Sequence, residues 1–64
     1  MILNGKPTEI KPGETLLSLL GSLGYKPGRV AAELNGKIIP REDYATTALN
    51  ENDRLEIVCF VGGG

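Results

Sequence analysis

The spacing of apolar residues predicts one short amphipathic helix in the first half of the chain. Four leucines recur with the period of an α-helix: Leu16, Leu19, Leu20 and Leu23. This spacing places all four on one face. Thr15 is a suitable N-cap residue, and Gly24 stands where many helices end on a left-handed glycine. We therefore predict a helix between these two residues, with a leucine stripe facing a sheet.

Short apolar runs separated by turn residues predict five strands. The sequence LNGK occurs twice, at 3–6 and 34–37. Each copy predicts a hairpin, because both central residues of a type I′ turn need positive φ and Asn-Gly supplies them. The predicted strands are 1–3, 8–10, 30–34, 37–39 and 54–61. Residues 40–44, with proline first, predict a short helical turn, and 50–53 form a polar loop.

These elements follow the order hairpin, helix, hairpin, short helical turn and last strand, which predicts an α+β fold. One amphipathic helix can cover one face of a single mixed sheet, and this arrangement is the β-grasp. An open three-stranded sheet is the alternative, and it is disfavoured because the last strand is too apolar for an edge. We predict one β-grasp domain over 1–61 and a flexible glycine tail over 62–64.

Alternation within the last strand predicts an exposed apolar patch. The set expected to face the helix is Leu55, Ile57, Cys59 and Val61. Val58 and Phe60 then point to the uncovered face, and Ile2 is expected to join them. We predict that these residues form a partner-binding patch beside the glycine tail. The alternative is that they are isolated surface hydrophobes, which are common and need no functional explanation. Cys59 is expected to be a small buried hydrophobe, with a reactive thiol as the alternative.

Composition narrows the possible chemistry. The 64 residues carry seven basic and eight acidic side chains, and there is no histidine. This predicts no nucleic-acid binding, no metal site and no catalytic constellation. A single cysteine excludes an internal disulfide. The absence of a signal peptide pattern and of a long apolar run predicts a soluble cytoplasmic domain without membrane attachment.

The last strand runs into three glycines, in the sequence VCFVGGG at 58–64. Glycine loses the most conformational entropy on ordering, so this tail is either passive or must be thin enough to enter a narrow site. In the second case Gly62 and Gly63 form the tail, and the Gly64 carboxylate is the working group. The segment is not a phosphate loop, because no helix and no Lys-Ser/Thr pair follows it.

Two segments, AAELNGKIIPREDYA at 31–45 and NDRLEIVCFVGGG at 52–64, resemble the ThiS family of sulfur carriers in thiamine biosynthesis, which are ubiquitin-like β-grasp proteins. The resemblance runs over essentially the whole chain. Two features depart from the family pattern: three terminal glycines where two are needed, and Asn-Asp where Gly-Asp is commoner. The resemblance implies a protein co-substrate rather than an enzyme.

The resemblance also implies the chemistry of the tail. A ThiF-type (E1-like) adenylating enzyme would use ATP to convert the Gly64 carboxylate into an acyl-adenylate. A persulfide sulfur donor would then give a thiocarboxylate, and a ThiG-type thiazole synthase would receive the sulfur. No bound cofactor is implied. Two alternatives remain: a MoaD-like carrier for molybdopterin or another sulfur pathway, and a ubiquitin-like interaction or modifier module without sulfur chemistry.

Overall fold

The computed structural model describes residues 1–60, and the predictions for Val61 and for the glycine tail 62–64 lie outside these residues. The described chain contains five strands, one α-helix and two 3₁₀-helices. The strands are β1 (Ile2–Leu3), β2 (Lys6–Pro7), β3 (Val30–Leu34), β4 (Lys37–Ile39) and β5 (Arg54–Cys59). The α-helix is α1 (Leu16–Leu23), and the 3₁₀-helices span Pro27–Arg29 and Arg41–Thr46.

The five strands form one mixed sheet in the order β2-β1-β5-β3-β4. The pairing of β1 with β5 is parallel, and the other three pairings are antiparallel. The last strand therefore lies in the middle of the sheet, as its apolar composition predicts. The buried leucines of α1 join apolar side chains from one face of this sheet. This is the predicted β-grasp arrangement.

Both Asn-Gly pairs form the predicted tight turns. All four of their residues have φ between 50° and 87°. The return strand of the first hairpin is β2, however, and not 8–10 as predicted. A two-residue turn pairs Leu3 with Lys6 at once, and Ile2 then pairs with Pro7, so the ladder forms immediately after the turn. Beyond Pro7, the N–H of Thr8 still donates to the Met1 carbonyl at 2.8 Å.

The ends of α1 agree with the sequence prediction. Thr15 is the N-cap: its hydroxyl accepts the N–H of Ser18 at 3.1 Å, and its own N–H donates to Ser18 Oγ at 2.9 Å. This reciprocal pair satisfies two N–H groups at the start of the helix. Ser18 Oγ also donates to Glu14, and this bond is the main reason that the pKa of Glu14 is lowered. At the other end, Gly24 has φ 83° and closes the helix.

The core lies between α1, the second 3₁₀-helix and one face of the sheet. Its buried members are Leu16, Leu19, Leu20, Val30, Ala32, Tyr44, Leu49, Leu55 and Ile57. The predicted leucine stripe is wrong at its last position, because Leu23 is 44% exposed. The second 3₁₀-helix contributes Tyr44, whose hydroxyl donates to the Val30 carbonyl at 3.4 Å. Pro40 precedes this helix as its N-cap rather than being its first residue.

The prediction that Cys59 is buried is wrong. Leu55 and Ile57 face the core as predicted, but Cys59 is exposed. Alternation gives Cys59 the same side of β5 as Ile57. Val30, directly opposite Cys59 on β3, is buried, so the cover at this level of the sheet lies over β3 and does not extend to Cys59.

Candidate partner-binding surface

Four apolar side chains lie together on the sheet face opposite α1. Val58 is 60% exposed and pairs in register with Ala31. Phe60, which follows β5, is 57% exposed. Ile38 on β4 is 67% exposed and lies opposite Glu33 on the neighbouring strand. We call Ala31, Ile38, Val58 and Phe60 the docking patch.

Sequence reasoning found Val58 and Phe60 but missed Ile38. The second Asn-Gly turn could have predicted the exposure of Ile38, because a two-residue turn fixes the register of the hairpin. A two-residue turn fixes Lys37 opposite Leu34, and Ile38 therefore faces away from the core. A large apolar residue at that position adds to the exposed area beside Val58.

Ile2 lies on the same side of the sheet but is not part of the docking patch. It is half-buried and pairs with Arg54 at the start of β5. Val58 is four residues further along that strand, which corresponds to about 13 Å. The structure therefore brings Val58 and Phe60 together and places Ile2 at the other end of the sheet.

A groove of about 380 Å³ runs from the docking patch toward the two 3₁₀-helices. Its walls include Pro27, Pro40 and the ring of Phe60. Arg41 also lines the groove and packs over Gly28, where a Cβ would lie only 3.0 Å from its Nη1 atom. The docking patch thus continues into a groove that is lined on one side by the guanidinium of Arg41.

The end of β5 is fixed by backbone hydrogen bonds. Val30 pairs with Cys59, and the N–H of Phe60 donates to the Arg29 carbonyl at 2.9 Å. These bonds hold the backbone up to Phe60, which is the last described residue and the last member of the docking patch along the chain.

The asparagines of both hairpin turns also bind the backbone of β5. Asn4 accepts the N–H of Ile57 through its Oδ1 atom at 2.7 Å. Asn35 accepts the N–H of Arg54 at 2.9 Å, and its amide nitrogen donates to Asp53 at 2.9 Å. The repeated LNGK sequence therefore has a repeated role, since each asparagine supplies β5 with a hydrogen-bond acceptor.

The described residues contain neither a metal-ligand cluster nor a membrane-spanning helix. Across 1–60 there is no group of three or more His, Cys, Asp or Glu side chains that could hold a metal ion. No helix within this range is long and apolar enough to cross a membrane. Cys59 is a free, exposed cysteine beside Phe60.

Together, the fold and this surface define a ubiquitin-like β-grasp domain with an exposed apolar patch at the end of its central strand. Sequence comparison agrees, because the ThiS family profile matches residues 1–64. The sulfur carrier protein ThiS of Bacillus subtilis is 41% identical over 63 residues, which cover 97% of this chain and 96% of that protein. The chain belongs to the ThiS family.

Two further relatives extend the comparison. The crystal structure of the thiamine biosynthesis protein ThiS from Geobacter metallireducens superposes with a TM-score of 0.78 at 33% identity, covering 98% of this chain and 96% of that one. A thiazole synthase of Paramagnetospirillum magneticum is 42% identical over 64 residues, all of this chain but 20% of that protein. The chain thus spans about a fifth of the length of the thiazole synthases it matches.

Proposed function

We propose that this protein is a sulfur carrier of thiamine biosynthesis and that the Gly64 carboxylate is the group that carries sulfur. The observation that carries the proposal is the match to the Bacillus subtilis sulfur carrier, because it extends over nearly the full length of both chains. The match to a thiazole synthase supports that class of enzyme as the recipient. The protein itself acts as a co-substrate in this scheme.

The proposed chemistry begins with activation. A carboxylate is a poor acyl electrophile, since its negative charge opposes attack and it lacks a good leaving group. In the proposed first step a ThiF-type enzyme directs a Gly64 carboxylate oxygen to the α-phosphorus of ATP. Pyrophosphate leaves, and an acyl-adenylate forms. ATP is consumed by the partner and is not a cofactor of this chain.

Sulfur transfer follows at the same carbon. The terminal sulfur of a partner's persulfide attacks the acyl carbon, AMP leaves, and an acyl disulfide forms. A second thiol then cleaves the S–S bond: it becomes part of a new disulfide, and Gly64 is left as a thiocarboxylate. A ThiG-type thiazole synthase would use this sulfur as a nucleophile. Glycines at 62 and 63 suit this scheme, because residues without Cβ pass through a narrow channel.

The docking patch supplies what the tail lacks, which is a surface for recognition. Glycines have no side chains with which a partner could select this chain. Exposed Val58, Ile38 and Phe60 form an apolar anchor next to the tail, and aromatic anchors at interface centres contribute most of the binding energy. We assign this patch to the adenylating partner.

The test is conversion of the C-terminus. The purified protein is incubated with the ThiF-type enzyme of its own genome, ATP and a persulfide donor, and its intact mass is followed. We expect a gain equal to the exchange of one oxygen for sulfur. A chain that stays unmodified would contradict the carrier proposal and favour an interaction module.

Deletion of Gly64 is the matched control. Its new terminus is still glycine, but the reach falls by one residue, about 3.3–3.6 Å. A displacement of about 1 Å at a reacting centre can cost on the order of a hundredfold in rate. We therefore expect the shortened protein to react at least a hundredfold more slowly. An equal rate would show that the position of the terminal carboxylate is not critical.

A further inference from the structure

Two carboxylates lie directly opposite each other on the uncovered face of the sheet. Glu33 on β3 pairs in register with Glu56 on β5, so both side chains leave the same face. Like charges at opposite positions of an antiparallel pair lower stability. The repulsion between the two carboxylates therefore lowers the free energy of unfolding.

This acidic pair borders the docking patch. Ile38 lies opposite Glu33 on β4, and Val58 is two residues beyond Glu56 on β5. The four side chains line one shallow hollow together with Ala31. Any surface that covers Ile38 and Val58 must therefore also cover at least part of the two carboxylates.

Covering the pair without neutralising it would be unfavourable. Removing water lowers the local dielectric constant, and the repulsion between two like charges rises in proportion. An uncompensated charge buried in an interface weakens binding. Binding of a purely apolar partner surface to this hollow is therefore unfavourable, and binding of an acidic surface is more unfavourable still.

We propose that Glu33 and Glu56 together accept a lysine or arginine side chain of the adenylating partner, and that this contact selects the partner. The inference rests on the proposed sulfur-carrier function, which supplies that partner. It adds the chemistry of the partner surface: an apolar anchor flanked by a cation. The cation relieves the repulsion between the two carboxylates, so this repulsion is lower in the complex than in the free protein.

The position of Arg41 makes this recognition directional. Arg41 lines the groove on one side of Ala31 and Ile38, and the acidic pair lines the hollow on the other side. A partner turned by half a rotation would bring its cation toward the guanidinium. The two opposite charges therefore favour one orientation, in which Phe60 always meets the same side of the partner.

The test compares two double variants that change the net charge by the same amount. Glu33→Gln/Glu56→Gln removes the acidic pair. Glu9→Gln/Glu51→Gln removes two exposed carboxylates that line a different hollow beside Met1. Initial rates of thiocarboxylate formation are measured against carrier concentration with the ThiF-type enzyme of the same genome, and melting temperatures are measured in parallel.

For Glu33→Gln/Glu56→Gln we expect two effects of opposite direction. The KM for the carrier should rise about tenfold with kcat unchanged, because a partner cation loses its counter-charge. The melting temperature should rise by about 1–5 °C, because the cross-strand repulsion is gone. Added salt should raise the KM of the parent much more than that of this variant. The Glu9→Gln/Glu51→Gln control should match the parent in KM.

Two results would overturn the inference and leave the proposed function standing. An unchanged KM while the parent is still converted would remove the cation contact. A fall in melting temperature together with the rise in KM would assign the pair a structural role. If the parent protein is not converted at all, the proposed function fails and this inference falls with it.

Discussion

At the scale of single residues, the asparagines of the two turns combine two roles. Asn4 and Asn35 adopt left-handed backbone conformations, with φ of 50° and 52°, which asparagine tolerates better than most residues. Their side chains also bind the backbone of β5. The turns were predictable because Asn-Gly is a local signal. The bonds to β5 were not, since Asn4 and Ile57 are 53 positions apart in the chain.

Replacing Asn4 by glycine should separate these two roles. Glycine accepts the positive φ of the turn, but it removes the acceptor that binds the Ile57 N–H at 2.7 Å in a partly buried setting. An unsatisfied buried donor costs about 1–3 kcal/mol, and we expect this loss in the free energy of unfolding, measured by urea denaturation.

Asn4→Asp is the matched control, because aspartate keeps an acceptor oxygen at the same position and also tolerates left-handed backbone. It should retain most of the parental stability. Equal stability of Asn4→Gly and the parent would show that the bond between the first turn and β5 contributes nothing to the fold.

At the scale of the elements, the cover over the core face of the sheet differs between neighbouring strands. Val30 on β3 is buried, whereas Cys59, directly opposite it on β5, is exposed. Alternation predicted which way Cys59 points but not whether anything lies above it, and for this reason the prediction of a buried cysteine was wrong.

The leucine stripe offers a direct test of this account. Leu20 is fully buried, so Leu20→Ala should lower the free energy of unfolding by about 2–5 kcal/mol through lost transfer energy and a residual cavity. For a domain of this size that is a large part of the total stability. Thermal and urea unfolding both measure it.

Leu23→Ala provides the comparison within the same helix. Leu23 is 44% exposed at the end of α1, so its truncation removes much less buried area and should cost well under half as much. Similar losses in the free energy of unfolding at the two positions would mean that Leu23 is buried in solution. The core would then include the end of α1.

At the scale of the whole molecule, β5 contributes apolar side chains to both faces of the sheet. Leu55 and Ile57 complete the core, whereas Val58 and Phe60 extend the opposite face. A simple alternation in the sequence therefore predicted both the position of the core and half of the docking patch. The rest of the patch comes from β3 and β4, and its extent depends on the register between strands rather than on any one segment.

Truncation of Phe60 tests the docking patch without disturbing the core. The ring is 57% exposed, and its backbone N–H, which bonds to Arg29, is kept in Phe60→Ala. The melting temperature should therefore stay close to that of the parent. Affinity for the ThiF-type adenylating enzyme, measured by calorimetry, should fall about 30-fold, since an aromatic anchor contributes roughly 2 kcal/mol or more.

Leu17→Ala is the matched control for this last prediction, because Leu17 is 38% exposed on α1, across the core from the patch. Its affinity for the adenylating enzyme should equal that of the parent. Equal weakening by both variants would mean that the partner also surrounds the helix, and weakening by Leu17→Ala alone would move the docking surface to the helical side. Parental affinity in Phe60→Ala would show that the enzyme recognises the chain without the apolar patch, and the assignment of that patch to the adenylating partner would then be wrong.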